Sequence, residues 1–290
     1  PARKGSEPHL LVMTATPIPR SLALTAYGDL DLSVIDELPP GRRPVETRVI
    51  YPLERQRAYN FVRAHIKKGR QAFLIFPLVE ESEKLQEKAA VEEHERLKKD
   101  VFPDLRLGLL HGKMKAVEKD AVMSNFRNGE TDILVATTVV EVGVDIPNAS
   151  IMVVEGADRF GLAQLHQLRG RVGRGGQKSY CLLVSEGKNG RAPRSDDLSG
   201  ERLKAMESIT DGFVLAEKDL QLRGPGEFLG TRQAGFHLQW ASLSDMALID
   251  LTINEAEQIL ERDPQLEQPK HHLLAEQAAR SMQSGAGEIS

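Results

Sequence analysis

The chain predicts an α/β protein built on a mostly parallel sheet with helices on both faces, followed by a mostly helical C-terminal region. Three observations point there. Short apolar runs alternate with longer segments of helical period through the first two-thirds of the chain, and strands joined by crossover helices run parallel. Two of the runs, Ile133–Ala136 and Ile151–Val154, are apolar at consecutive positions, as strands buried on both faces are. After about residue 200 the alternation stops and helical period alone remains.

The elements follow in order. Residues 1–36 hold one strand, Leu10–Met13, and a short helical stretch, too little to bury a core alone. Residues 37–46, with Pro39, Pro40 and Pro44, read as an extended linker, because proline fixes φ and restrains the residue before it. Strands are expected at Val49–Tyr51, Ala72–Phe76, Leu105–Leu110, Ile133–Ala136, Ile151–Val154 and Tyr180–Val184. Helices are expected between them at Leu53–Lys68, Ser82–Lys99, Ala116–Arg127 and Leu162–Arg171. Together these make a domain over residues 47–190. The Gly-, Ser- and Pro-rich stretch Gly187–Gly200 reads as a loop. Helices Glu201–Arg223 and Ser242–Arg262 then belong to a second region, 191–290. The charge-rich segment Glu80–Asp100 reads as a solvated helix face rather than a binding tail.

Composition narrows the function. The chain has 38 basic and 42 acidic residues, a formal net charge of −4. That excludes a protein coated in positive charge and leaves room for a local basic site. Cys181 is the single cysteine, so no internal disulfide forms and a reducing, cytoplasmic setting is expected. The uncharged stretches are far shorter than the ~20 residues of a membrane helix, and the N-terminal residues do not read as a signal peptide.

The densest chemical signal is Gln164–Gly175, where Arg169, Arg171 and Arg174 crowd together with no acid, and Lys178 follows. Such spacing prepares an anion site, and paired guanidinium groups suit a transferring phosphoryl group. Gly170, Gly173, Gly175 and Gly176 would let backbone approach a phosphate. The segment is not a phosphate loop, since Lys178 follows Gln177 and not a glycine, and no Cys/His spacing suits zinc. His271-His272 reads as an exposed helix start. Three polar clusters follow expected strands: Thr14–Thr16, His111-Gly112-Lys113, and Thr137-Thr138 leading to Glu141–Asp145. In open parallel sheets ligands bind at that edge, and threonines there suit a nucleic-acid phosphate. Arg223-Gly224-Pro225-Gly226 is a turn by its chemistry.

Taken together, these segments resemble the superfamily 2 helicases and translocases, in particular their bacterial fork-remodelling DNA helicases. Thr14–Arg20 resembles helicase motif III, Ala72–Pro77 motif IV, Leu110–Gly112 the motif after it, Val135–Asp145 motif V and Gln164–Gly175 motif VI. Asp219–Gly235 resembles the hairpin-and-loop element that this branch shares with the transcription-repair translocase. The resemblance implies ATP as cofactor with Mg²⁺, and forked or branched double-stranded DNA as partner, in a monomeric bacterial cytoplasmic enzyme. It also implies roles. Arg171 and Arg174 would be arginine fingers and Gln167 would position phosphates, with Gly143, Asp145 and Gly170 at the nucleotide. Thr14, Thr16, His111, Gly112, Lys113, Thr137 and Thr138 would hold the DNA backbone. Arg223, Gly224, Gly226, Arg232 and Gln233 would couple turnover to movement. No phosphate loop or paired-acid strand end occurs in these residues. The expectation is therefore a C-terminal fragment, inactive alone as an ATPase, whose wedge and first motor domain lie upstream, with 1–36 the end of the latter. The alternatives are a non-catalytic nucleic-acid-binding module with a decayed motor fold, the transcription-repair translocase, and a transferase using Gly170–Gly176 as its phosphate loop.

Overall fold

The computed structural model describes residues 11, 13, 33–35, 37, 41–77, 83–137, 146–187, 197–223 and 246–285. The expected strand at Leu10–Met13, and most of the expected loop at Gly187–Gly200, lie outside the described residues. The chain divides into two compact units, parted between Leu222 and Arg223.

The first unit holds one six-stranded sheet. Its strands are β1 (Glu46–Ile50), β2 (Gln71–Phe76), β3 (Leu107–Leu110), β4 (Ile133–Thr137), β5 (Ala149–Val154) and β6 (Tyr180–Val184). They lie in the order β1-β6-β5-β2-β4-β3, and every pairing is parallel. β4 and β5 are buried at every position, as the unbroken apolar runs Ile133–Ala136 and Ile151–Val154 predict. The helices are α1 (Arg55–Ile66), α2 (Glu83–Arg96), α3 (Ala116–Arg127), α4 (Leu162–Arg169), α5 (Leu198–Ser208) and α6 (Gly212–Arg223). One face of the sheet packs Leu74, Val135 and Val153 against Tyr59 and Val62 of α1 and against Leu97 and Phe102. The other packs Phe73, Leu134 and Met152 against Phe126 of α3, Leu165 of α4, Met206 of α5 and Leu215 of α6. Helices thus cover both faces, which a parallel sheet requires.

Two elements differ from the sequence reading for tertiary reasons. β1 starts at Glu46, before the predicted Val49, because Glu46 pairs opposite Tyr180 of β6. Pairing, not apolarity, recruits Glu46, Thr47 and Arg48. The single helix expected over Glu201–Arg223 is two, α5 and α6. Asp211 starts the second, its Oδ1 accepting from the Phe213 and Val214 amides at 2.7 and 3.3 Å, the bonding of an N-cap.

The second unit contains α7 (Met246–Arg262), a 3₁₀ turn (Pro269–His271) and α8 (His272–Gly285). Asp263 organises the turn between the helices. Its carboxylate accepts from the Glu267 and Gln268 amides, each at 2.9 Å, and from His271 Nδ1 at 2.7 Å. His271 is therefore not the exposed helix start expected from sequence: its imidazole turns inward onto Asp263, whose carboxyl these bonds hold below the usual range against the opposing effect of desolvation. Among the described residues no helix is long and apolar enough to cross a membrane.

Candidate functional site

Strand direction sorts the predicted site residues onto opposite edges of the sheet. The loop 170–179 leaves α4 and enters β6 at its first residue, Tyr180, so it lies at the N-terminal edge. His111 follows β3 and Thr137 ends β4, both at the C-terminal edge. A five-residue strand spans about 16 Å, which sets the scale of their separation. Thr137 closes β4 at the C-terminal edge, and Ile146–Asn148 lead into β5 at the N-terminal edge.

At the N-terminal edge, α4 presents a buried stripe of Leu162, Leu165, Leu168 and Arg169, continued by Val172. Gln164 closes its start, Oε1 accepting from the Gly161 amide at 3.2 Å. Gln167 is exposed, Arg171 half-buried and Arg174 exposed, with buried Val172 between the two arginines anchoring the loop. Guanidinium groups only donate, which suits them to an anionic phosphate.

Arg169, not picked out by sequence, is 5 % exposed. Its Nη1 donates to the Met206 and Ile209 carbonyls at 3.1 and 2.8 Å, and its Nη2 to Thr210 O and His166 Nδ1, both at 2.9 Å. It thus satisfies the carbonyls where α5 ends, which explains the break between α5 and α6. Because guanidinium only donates, His166 Nδ1 accepts and the ring proton sits on Nε2. Burial, and then the Arg169 charge, push the His166 pKa down to about 4. Lys178 is also engaged, 2.8 Å from Glu46 Oε2 and over the Tyr180 ring. Of the four clustered cations, then, Arg169 and Lys178 have roles in the fold that the sequence reading did not assign.

The glycines serve close approach, but to the protein itself. A Cβ on Gly175 would collide with the Pro147 carbonyl oxygen, and one on Gly173, whose φ is +84°, would lie 3.0 Å from Val45 Cγ2. Gly170 caps α4, and its carbonyl accepts from Arg42 Nη2 at 2.9 Å. For Gly173 and Gly175 this differs from the reading of the glycines as room for a phosphate, whereas a Cβ on Gly176 would meet nothing within 4 Å.

At the C-terminal edge, Leu110 pairs opposite Ala136, and Phe76 opposite Thr137. His111 and Thr137 therefore stand side by side. Thr137 Oγ1 and His111 Nδ1 are buried with no hydrogen-bond partner among the described residues, an arrangement that costs about 1–3 kcal/mol per group. Lys119 Nζ donates to the Gly112 carbonyl at 2.7 Å and shapes the loop that carries Lys113. On the same edge, Glu155 is buried after β5, its Oε1 accepting from Tyr59 Oη at 2.6 Å and its Oε2 3.2 Å from Arg55 Nη2. Burial outweighs both partners and raises the Glu155 pKa. Sequence gave no signal for this pair, because Glu155 is one more acid at a strand end.

Thr14, Thr16, Thr138, Gly143, Asp145, Gly224, Gly226, Arg232 and Gln233 lie outside the described residues; Arg223 is the last residue of α6.

Residues 55–176 match the helicase conserved C-terminal domain. The first unit therefore has the RecA-like fold of a superfamily 2 helicase's conserved C-terminal domain. Residues 209–286 match the C-terminal part of domain 3 of ATP-dependent DNA helicase RecG, and the chain belongs to the RecG branch of that superfamily. It is 55 % identical over 266 residues to the RecG of Synechocystis sp., covering 91 % of this chain and 31 % of that protein. Against the RecG of Escherichia coli K12 the identity is 52 % over 266 residues, 91 % of this chain and 37 % of that protein. A solved structure described as RecG bound to a three-way DNA junction aligns with a TM-score of 0.61 and 51 % identity, covering 74 % of this chain and 27 % of that one. The chain spans about a third of the length of the curated relatives it matches.

Proposed function

We propose that the chain is the C-terminal motor half of an ATP-dependent translocase that remodels branched double-stranded DNA in the bacterial cytoplasm. Residues 47–190 form the second motor domain, 1–36 the end of the first, 37–46 the linker, and 191–290 the element that couples turnover to movement. One observation carries the reading: the sheet holds the loop of Arg171 and Arg174 at one edge and, at the other, the buried Thr137 Oγ1 and His111 Nδ1 with no hydrogen-bond partner among the described residues.

At the N-terminal edge, Arg171 and Arg174 face the phosphates and stabilise the charge that develops there, Gln167 orients them, and Gly143, Asp145 and Gly170 border the nucleotide. ATP with Mg²⁺ supplies the phosphoryl-transfer chemistry when bound, on ligands these 290 residues do not include. At the C-terminal edge, Thr137 and His111 meet DNA phosphate oxygens together with Gly112, Lys113, Thr138, Thr14 and Thr16. Such contacts hold a backbone without reading sequence. Arg223, Gly224, Gly226, Arg232 and Gln233 pass the motion to the duplex. The likeness to RecG proteins, one of them solved on a three-way junction, supports this choice of partner.

The test is Arg174→Ala in the intact protein. Removing an arginine finger costs about 10³ or more in turnover, so DNA-stimulated ATP hydrolysis should nearly vanish while fork binding persists. Turnover within a few-fold of the parent would refute the role.

A further inference from the structure

We infer that Arg42 is a positioning residue for the arginine pair, and that the linker forms one wall of the loop that carries it. This rests on the reading of Arg171 and Arg174 given above.

The loop 170–179 has no regular structure of its own, so whatever touches it sets where the two guanidinium groups stand. Linker residues 42–46 follow it from end to end. Arg42 Nη2 donates to the Gly170 carbonyl at 2.9 Å, immediately before Arg171. Val45 Cγ2 and the Arg43 carbonyl back onto Gly173, immediately before Arg174. Glu46 closes the far end, its amide donating to Ser179 O at 2.9 Å and its carboxylate meeting Lys178 at 2.8 Å. Both arginines are thus preceded by a glycine held against the linker. The Gly170 carbonyl belongs to the end of α4, where a cation is favoured by the helix dipole as well as by the hydrogen bond. Gly173 has a φ of +84°, a conformation glycine adopts without cost. The other side of the loop is closed by Pro147 against Gly175.

The linker therefore does more than join two motor domains. Arg42, Val45 and Glu46 hold the loop at three points along its length, so the placement of Arg171 and Arg174 depends on these residues as well as on the helix and strand that flank the loop.

Arg42→Met in the intact protein keeps the aliphatic stem and removes the donor. The expected result is a roughly 10- to 100-fold fall in kcat for fork-stimulated ATP hydrolysis, the size of effect a misplacement of about 1 Å produces. KM for ATP and Kd for a forked duplex should stay within two-fold. Arg42→Lys, which still reaches one carbonyl, should recover most of the rate. In an Arg174→Lys background, Arg42→Met should cost much less than it does alone, because residues that act as a unit are not additive. Full activity of Arg42→Met beside a dead Arg174→Ala would overturn the positioning role and leave the finger reading intact. An active Arg174→Ala would sink the finger reading itself. Equal losses from Arg42→Met in both backgrounds would show a general structural role and also overturn the inference. Should Arg42→Met lose fork binding, Gly173→Ala, which presses the loop off Val45, must give the same kcat-only loss.

Discussion

Arg169 is a buried cation whose recorded neighbours are carbonyls and one imidazole, and this decides how the site responds to acid. Unfolded, His166 titrates near 6.5; folded, burial first and Arg169 second push it to about 4. Between those values the unfolded chain binds more protons than the folded one. Stability therefore rises with pH across that window, and is lost as pH falls from 6.5 toward 4. In His166→Asn the amide oxygen replaces Nδ1 as acceptor and cannot titrate, so its denaturant midpoint should fall less between pH 7 and pH 5 than the parent's. An identical fall would show that the acid sensitivity lies elsewhere. Neighbouring arginines should separate by phenotype. Arg169→Met strands the Met206, Ile209 and Thr210 carbonyls and should cost about 3 kcal/mol in denaturant unfolding. Arg174 is exposed, so Arg174→Ala should leave stability within about 0.5 kcal/mol while abolishing turnover. A destabilised Arg174→Ala, or a fully stable Arg169→Met, would reverse the assignment.

At the scale of elements, what the sequence reveals depends on whether the deciding contact is local. β4 and β5 are legible because Ile133–Ala136 and Ile151–Val154 are apolar throughout, and α3 because its period is regular. The helix Glu201–Arg223 was not, since its break is made by Arg169 reaching in from α4 to take carbonyls that a continuous helix would use internally. Even so, one signal existed: Arg169 falls on the same helical stripe as Leu162, Leu165 and Leu168, which marks it as inward-facing. The end of the linker was misread in a similar way, since Glu46 becomes strand only by pairing with β6. Motif VI was legible as a string of residues but not as a structure, because glycines adapted to Pro147 and Val45 look the same on paper as glycines adapted to a phosphate. Gly175→Ala tests the difference. Its Cβ collides with backbone, so the loop must shift, and the variant should lose fork-stimulated kcat at least ten-fold while keeping its far-UV circular dichroism. Normal turnover would mean the loop has slack.

For the whole molecule, separating the two edges of the sheet predicts that nucleotide and DNA phenotypes dissociate. Lys113→Ala removes one cation from the C-terminal edge. It should weaken binding to a forked duplex equally for all sequences and lower the slope of log K against log salt by about one. KM for ATP at saturating DNA should not move. A sequence-dependent loss, or an unchanged slope, would place Lys113 off the backbone. The purified 290-residue chain should bind nucleotide weakly and show no DNA-stimulated turnover, because the phosphate cradle and Mg²⁺ ligands are absent from its sequence. Sustained hydrolysis by this chain would require a second site within it.

The pairing of β1 with β6 has a consequence for synthesis. Glu46 finds its partner Tyr180 about 130 residues later, and contacts so distant in sequence form late because chain closure must precede them. On the ribosome, the nascent chain must extend through the whole domain before residues 42–46 have a surface to lie on. The loop is thus completed only once β6 has emerged, so a chain stalled before Tyr180 would hold both arginines and residues 42–46 with no strand to bring them together.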